Sequence, residues 1–371
     1  MVNSAISAVK PGRVESIDAL RGFDMFWIIG GTEIVQGWAK GSGSRLLNSL
    51  MPQLGHVPWE GFHFYDLIMP LFLFIVGAAM PFSFKKRLGR GDSRKEIYIH
   101  VIKRVIILFV LGMMTQGNLF AYSWSQLHIF IGTLPAIGAG YLVATLLMLN
   151  MRLRSQILAV SFFLLLYWAL MTLVPVPGFG AGVLTPTGNL GFYLDHLIMK
   201  GFLPADRIYT QLLNIMTFGS TVMLGVFAGY LLQSGRTKKE KVLLLLGMGI
   251  GTMILGLFWS LWFPIIKHIW SSSFVLFAGG LSCLLLALFY LVIDVLGYRK
   301  WAFGFTIIGM NSIAVYVATH LYDFTNIGAI FTRGLARWTG PWQDCVHALG
   351  GFVVVWLILY WMYRKRTFIS I

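Results

Sequence analysis

Two residues in the stretch LGHVPWEGFHFYDLIMPLFLFIVG (54–77) have the chemistry of a catalytic pair. His56 stands ten residues before Asp66, and Asp66 heads a long apolar run. A carboxylate at the head of such a run is costly without a partner. An imidazole N–H is a natural partner, and the pairing would fix the ring's tautomer and raise its basicity. A general base or a nucleophile requires both. His63 competes for the same carboxylate. The bland alternative is a loop histidine touching a carboxylate by chance. Against it, Pro58, Trp59 and Gly61 give His56 a rigid, aromatic setting. Trp59 and Trp27 offer flat faces on which a sugar or a ring could stack.

Other polar residues stand in equally costly places. Asp18, Arg21 and Asp24 are spaced three apart in SIDALRGFDMFW and share a helical face. They read either as a salt-bridged helix entrance or, through Arg21, as a seat for an anionic group such as a phosphate. Thr32 and Glu33 follow toward the far end of the same run, after Gly30 and Gly31, which permit close approach of a helix or ligand. FPIIKHIWSSSFVLF (263–277) puts Lys267 beside Trp270 in a tight turn, with Ser271, Ser272 and Ser273 as helix caps. GMNSIAVYVATHLYD (309–323) carries Asn311, Ser312, Tyr316 and His320 through an apolar run, either for interhelical hydrogen bonds or as the lining of a polar cavity. No His/Cys/Asp/Glu cluster has metal-ligand spacing, and no Gly-rich phosphate loop joins a strand to a helix.

The elements that must position these residues are membrane helices. Of 371 residues, 57% are hydrophobic and only 12% charged, and the mean hydropathy is +0.75. Soluble domains carry roughly 25% charged residues. Apolar runs occupy about 19–38, 64–84, 98–117, 126–149, 156–174, 209–232, 242–262, 273–293, 302–320 and 346–363. Each is long enough to cross a hydrocarbon core about 30 Å thick. They are continuously apolar, which excludes the alternating segments of a transmembrane β-barrel. The expected fold is all-α: one polytopic domain over 1–371, with about ten spans and a polar tail at 1–15.

The net charge of +15 follows the topology. Segments on one side of the alternating spans hold 22 of the 29 Lys and Arg, and the other side holds seven. The positive-inside rule puts both termini in the cytoplasm, and nucleic-acid binding loses its main argument. The outward loops 39–63, 175–208 and 321–345 are the longer ones, so the working face is expected to be extracytoplasmic. Within them, 188–209 reads as an interfacial helix. Cys283 reads as a packing residue, and a disulfide framework is not expected.

Five stretches together resemble the transmembrane acetyltransferase family of heparan-α-glucosaminide N-acetyltransferase, in its bacterial, DUF5009-type form. They are SIDALRGFDMFWIIGG, HVPWEGFHFYDLIMPLFLFIVG, GNLGFYLDHLIMKG, FPIIKHIWSSSFVL and WAFGFTIIGMNSIAVYV, in order from residue 16 to about 318. The resemblance implies an enzyme that moves acetyl from cytoplasmic acetyl-CoA to an amino sugar, glucosamine or a glucosaminide, across the membrane. The family's proposed catalytic histidine maps onto His56, and the aspartate heading the next span onto Asp66. Where many relatives carry D-P-E-G-L-L before the sixth span, this chain reads IYTQLLNIM (208–216).

On this reading Arg21, Lys103 and Arg104 are the expected holders of the donor's phosphates. Trp59, Thr32, Glu33, Lys267, Trp270, Asn311 and His320 are the expected substrate contacts. No metal is expected. The partners are acetyl-CoA, the amino sugar and the bilayer of a bacterial inner membrane, with a homodimer as the assembly kept in view. The alternatives are a transporter of amino sugars or other small solutes, and an acyltransferase acting on another cell-envelope glycan.

Overall fold

The protein is described by a computed structural model that covers residues 14–204 and 207–369. The expected tail at 1–15 lies outside the described residues except for Val14 and Glu15. Apart from two isolated β-bridges, every regular element among the described residues is helical. The first run is α1 (Glu15–Phe26), a π-turn (Trp27–Gly31) and α2 (Thr32–Ser42). Gly30 makes the break, at φ 140°, a conformation open to glycine and costly for residues with a Cβ.

After the short α3 (Arg45–Leu50) come α4 (Ile68–Leu88), α5 (Arg94–Thr115), α6 (Thr133–Asn150), α7 (Leu153–Leu173), the short α8 (Leu190–Ile198), α9 (Ile215–Gln233), α10 (Lys238–Trp259) and α11 (Ser272–Tyr290). The chain ends with α12 (Phe303–Met310), α13 (Ser312–Leu321), α14 (Phe324–Ala336) and α15 (Gln343–Arg364). Eight of these helices are long and apolar enough to cross a membrane, and α12 with α13 makes a ninth if the pair, bent by 67°, is one span. The first run is not among them, because its helical pieces are short and interrupted. The protein is thus an integral membrane protein. The run expected at 126–149 begins later, at Thr133, since 116–132 is a loop with short 3-10 turns.

The helices fall into an inner and an outer group. In the span containing α4, 78% of the apolar window is buried, against 22% in α5 and in α10. Ile102, Ile106 and Val110 of α5 and Leu243, Ile250 and Ile254 of α10 are exposed. Such faces suit lipid, where no hydrophobic force drives helices together and close packing must do so. The central crossing of α4 and α9 shows how. A Cβ on Gly77 would lie 1.9 Å from the Val222 carbonyl oxygen, and one on Gly225 would lie 1.9 Å from that of Phe74. Only hydrogen fits at both positions, so each helix lays bare backbone against the other.

The segment expected to lie as an interfacial helix is helical only over α8. Its Asp195 is buried and accepts from the backbone N–H of Gln211 at 2.7 Å and of Leu212 at 2.9 Å. The helix therefore anchors the following loop through a buried carboxylate.

Candidate active site

Three loops far apart in sequence meet at one end of the bundle. The 55–66 loop is stitched to the 263–271 turn by an antiparallel bridge between Glu60 and Ile266. The Gly61 N–H donates to the Ile265 carbonyl at 2.9 Å. The 207–214 loop joins through Thr210 N–H to the His268 carbonyl at 3.1 Å. The turn itself is closed by Trp270 N–H to the Lys267 carbonyl at 3.0 Å. Trp270 sits at φ 50°, in the left-handed region, a strain of order 1–3 kcal/mol for a residue with a side chain. Complete burial of its indole offsets that strain, with Nε1 donating to Thr221 Oγ1 at 3.0 Å. Ser271 caps α11, accepting from the Phe274 N–H.

At this junction Asp66, with no exposed surface, accepts from four donors. His56 Nδ1–H donates to Oδ1 at 2.8 Å. The backbone N–H groups of Val57 and His63 donate to Oδ2 at 3.2 and 3.0 Å. Lys267 Nζ donates to Oδ1 at 3.3 Å. The His63 ring, expected as a competitor, turns away and bonds the Gly55 carbonyl through Nδ1 at 3.1 Å.

The Lys267 ammonium also lies against the histidine, 2.9 Å from Nδ1 and 3.5 Å from Nε2. With the ring proton committed to Asp66, Nδ1 cannot also accept from lysine. Nε2 is therefore left as the ring's acceptor, on a side chain 44% exposed. Burial lowers the pKa of Lys267 to about 8, and the neighbouring Asp66 limits the drop. His268 is lowered to about 4 by burial and then by Lys267, which keeps it neutral. It packs between Trp59, at 5.1 Å, and Tyr209, at 4.3 Å.

His56 and Lys267 open onto a cavity of about 830 Å³, within the range of about 300–1,000 Å³ typical of ligand sites. Its polar lining includes Tyr65, Gln116, Arg207, Tyr209, Gln211, Tyr316 and His320, and Ile28, Met69 and Phe72 line its apolar part. His320 is held by Nδ1–H donation to the Tyr316 carbonyl at 2.9 Å.

The other expected site residues do not line this cavity. Trp59 donates its indole N–H to the Leu184 carbonyl at 2.9 Å and stacks on His268, not on open space. Thr32 is buried and bonds the Trp27 carbonyl at 3.1 Å, bridging the π-turn. Glu33 is exposed. Trp270 is in the core. Asn311, between α12 and α13, holds the C-terminal segment, accepting from Ile369 N–H at 2.9 Å and donating to the Thr367 carbonyl.

Among the expected donor-holding residues, Arg21 pairs with Asp18 at 3.3 Å and Lys103 is exposed. Arg104 lies over the Tyr141 ring at 4.4 Å with its Nε unpartnered. Sequence reasoning did not single out Tyr65, Arg207, Tyr209, Gln211 or His268. The signal for Tyr209 and Gln211 was the IYTQLLNIM stretch, where the chain departs from its relatives' pattern.

Residues 13–129 match the model of a domain of unknown function, DUF5009. The chain is 25% identical over 380 residues to the Homo sapiens heparan-alpha-glucosaminide N-acetyltransferase, which covers 86% of this chain and 54% of the relative. It is 26% identical over 371 residues to the Mus musculus protein of the same name, covering 84% of this chain and 56% of the relative. The chain thus spans about half the length of the curated relatives it matches. The motifs and these alignments agree: this chain is similar, over most of its length, to the heparan-alpha-glucosaminide N-acetyltransferase family.

Proposed function

We propose that the chain is a transmembrane N-acetyltransferase that moves acetyl from cytoplasmic acetyl-CoA to the amine of an amino sugar at the extracytoplasmic face. The observation that carries this reading is the His56–Asp66–Lys267 cluster on the wall of the cavity. In this reading the whole of 1–371 is one transmembrane acyltransferase domain of ten spans, counting the broken first run and the bent α12–α13 pair. Both termini are cytoplasmic, and the membrane is a bacterial inner membrane.

The chemistry follows from the geometry. An amine attacks only after losing a proton, and His56 Nε2 is the cavity-facing base that takes it. The amine nitrogen bonds the thioester carbonyl carbon, the C–S bond breaks, and the thiolate leaves and is protonated. Asp66 holds the ring through Nδ1–H. Lys267 Nζ, 3.5 Å from Nε2, is placed to donate to the oxyanion that develops beside that atom. The same arrangement serves if Nε2 first accepts the acetyl itself. Arg104, with an unpartnered Nε, fits a phosphate of the donor better than Arg21, whose charge is engaged by Asp18.

A solute transporter is the second reading. The bent α12–α13 pair favours it, since discontinuous helices recur in transporters. One assay separates them. Purified protein with acetyl-CoA and glucosamine is expected to release free thiol and form the N-acetyl sugar. Sugar uptake into proteoliposomes without acetyl-CoA, and no thiol release, would overturn the acetyltransferase reading.

A further inference from the structure

Arg207 is the charged lining residue that the chemistry above does not use. It stands in the loop between α8 and α9, on the wall of the cavity that holds His56. Its Nε and Nη1 are buried without a hydrogen-bond partner. Asp195 is the carboxylate whose charge most supports it, yet both Asp195 oxygens are taken by the N–H groups of Gln211 and Leu212. Burial lowers Arg207 only to about 10, so it is a cation at neutral pH. Asp195 therefore balances part of the charge but pairs with neither N–H group, and buried donors left unpaired are costly.

One turn's length further on, Gln211 lines the same cavity. It is buried, and its Oε1 also lacks a partner. Its backbone is fixed by the Asp195 bond. The titratable lining residues are His56, Lys267, His320, Arg207, Tyr65, Tyr209 and Tyr316; no carboxylate lines this cavity among the described residues.

We propose that Arg207 and Gln211 form a subsite for a carboxylate-bearing amino sugar, with Arg207 taking the carboxylate and Gln211 Oε1 accepting from a neighbouring hydroxyl. A planar guanidinium matches a carboxylate in two parallel hydrogen bonds. The amine of the same sugar then faces His56. The inference deepens the acetyltransferase reading and rests on it for the identity of the acceptor. The acetyl donor also carries anionic oxygens, as phosphates, so the test separates the two sources.

The matched probes are glucosamine and 2-amino-2-deoxyglucuronic acid, which differ only in oxidation at C6. Binding of each, and of CoA, to the full chain in detergent is measured by calorimetry for the unaltered protein, Arg207→Gln, Arg207→Lys and His56→Ala. The amino-uronic acid is expected to bind about tenfold or more tightly than glucosamine. Arg207→Gln should abolish that preference and leave CoA binding unchanged. Arg207→Lys should keep part of it, which guards against misfolding as the cause. His56→Ala should keep all of it.

Equal affinities in the unaltered protein would overturn the subsite. So would an Arg207→Gln variant that loses CoA and not the acidic sugar. A clear preference without any acetyl transfer would instead sink the acetyltransferase reading and leave the subsite standing.

Discussion

Asp66 and Asp24 are both carboxylates with no exposed surface, and they live in opposite circumstances. Asp66, at the mouth of α4, has four donors around it. Asp24, in α1, has none on either oxygen among the described residues. Burial alone therefore does not mark a working site in this bundle. The mark is a carboxylate whose bonds converge on a second titratable group with a free face. Asp66 delivers such a group in His56. Asp24 delivers none through a hydrogen bond, and the indole N–H of Trp27, three residues on, is also without a partner among the described residues.

The sharpest way to break this comparison is Asp66→Ala. It removes the acceptor of two loop N–H groups and leaves Lys267 buried without its counter-charge. A loss of about 3–5 kcal/mol is expected, visible as a lower thermal midpoint, together with loss of thiol release. His56→Ala should slow acetyl transfer by about 10²–10⁴-fold at an unchanged midpoint, because the ring is half exposed. An equal fall in midpoint would mean that His56 is structural.

Lys267→Met should cost about 10²–10³ in rate, the scale for losing one oxyanion donor. Lys267 also gives a pH signature. Its folded pKa is lowered to about 8, against about 10.4 when free. The ammonium is present below pH 8 and lost above it, so thiol release should fall as pH rises through about 8. Stability should move oppositely over about pH 8–10, where the unfolded chain binds the extra proton. Lys267→Arg, charged throughout, should flatten the fall in rate, and an unchanged profile would remove Lys267 from the chemistry.

The smallest effect is expected from Asp24→Leu. Removing an unpartnered buried carboxyl should raise stability by about 1 kcal/mol or more and leave turnover alone. A drop in either would show that the contrast with Asp66 is false.

What could be read before the structure follows from distance along the chain. His56 and Asp66 are ten residues apart, and their pairing is a local matter of one loop entering one helix. The continuously apolar runs made an all-helical membrane fold legible, while the breaks at Gly30 and Asn311 and the faces the helices turn to each other were not. Lys267 reaches the pair from 201 residues beyond Asp66, through a backbone bridge that no spacing rule announces. Arg207 was counted as one of seven outward basic residues, and its sign hid its position. Trp270 and Asn311, expected as substrate contacts, are absent from the cavity lining for a common reason. An indole or amide in an apolar run fits a cavity wall and a structural hydrogen bond equally well, and here Trp270 bonds Thr221 in the core while Asn311 holds the C-terminal segment.

The bridge between Glu60 and Ile266 has a consequence for how such a protein drifts over generations. The lysine is brought to the carboxylate by main-chain groups, so the exposed side chain at 60 is free to diverge while the chemistry stays in register, whereas Ile266, fully buried, must stay apolar. Position 61 is where that freedom ends, since its N–H is one of the stitches and proline has none to give. Lineages should therefore show scattered replacements at 60, apolar residues at 266 and none that sever the seam.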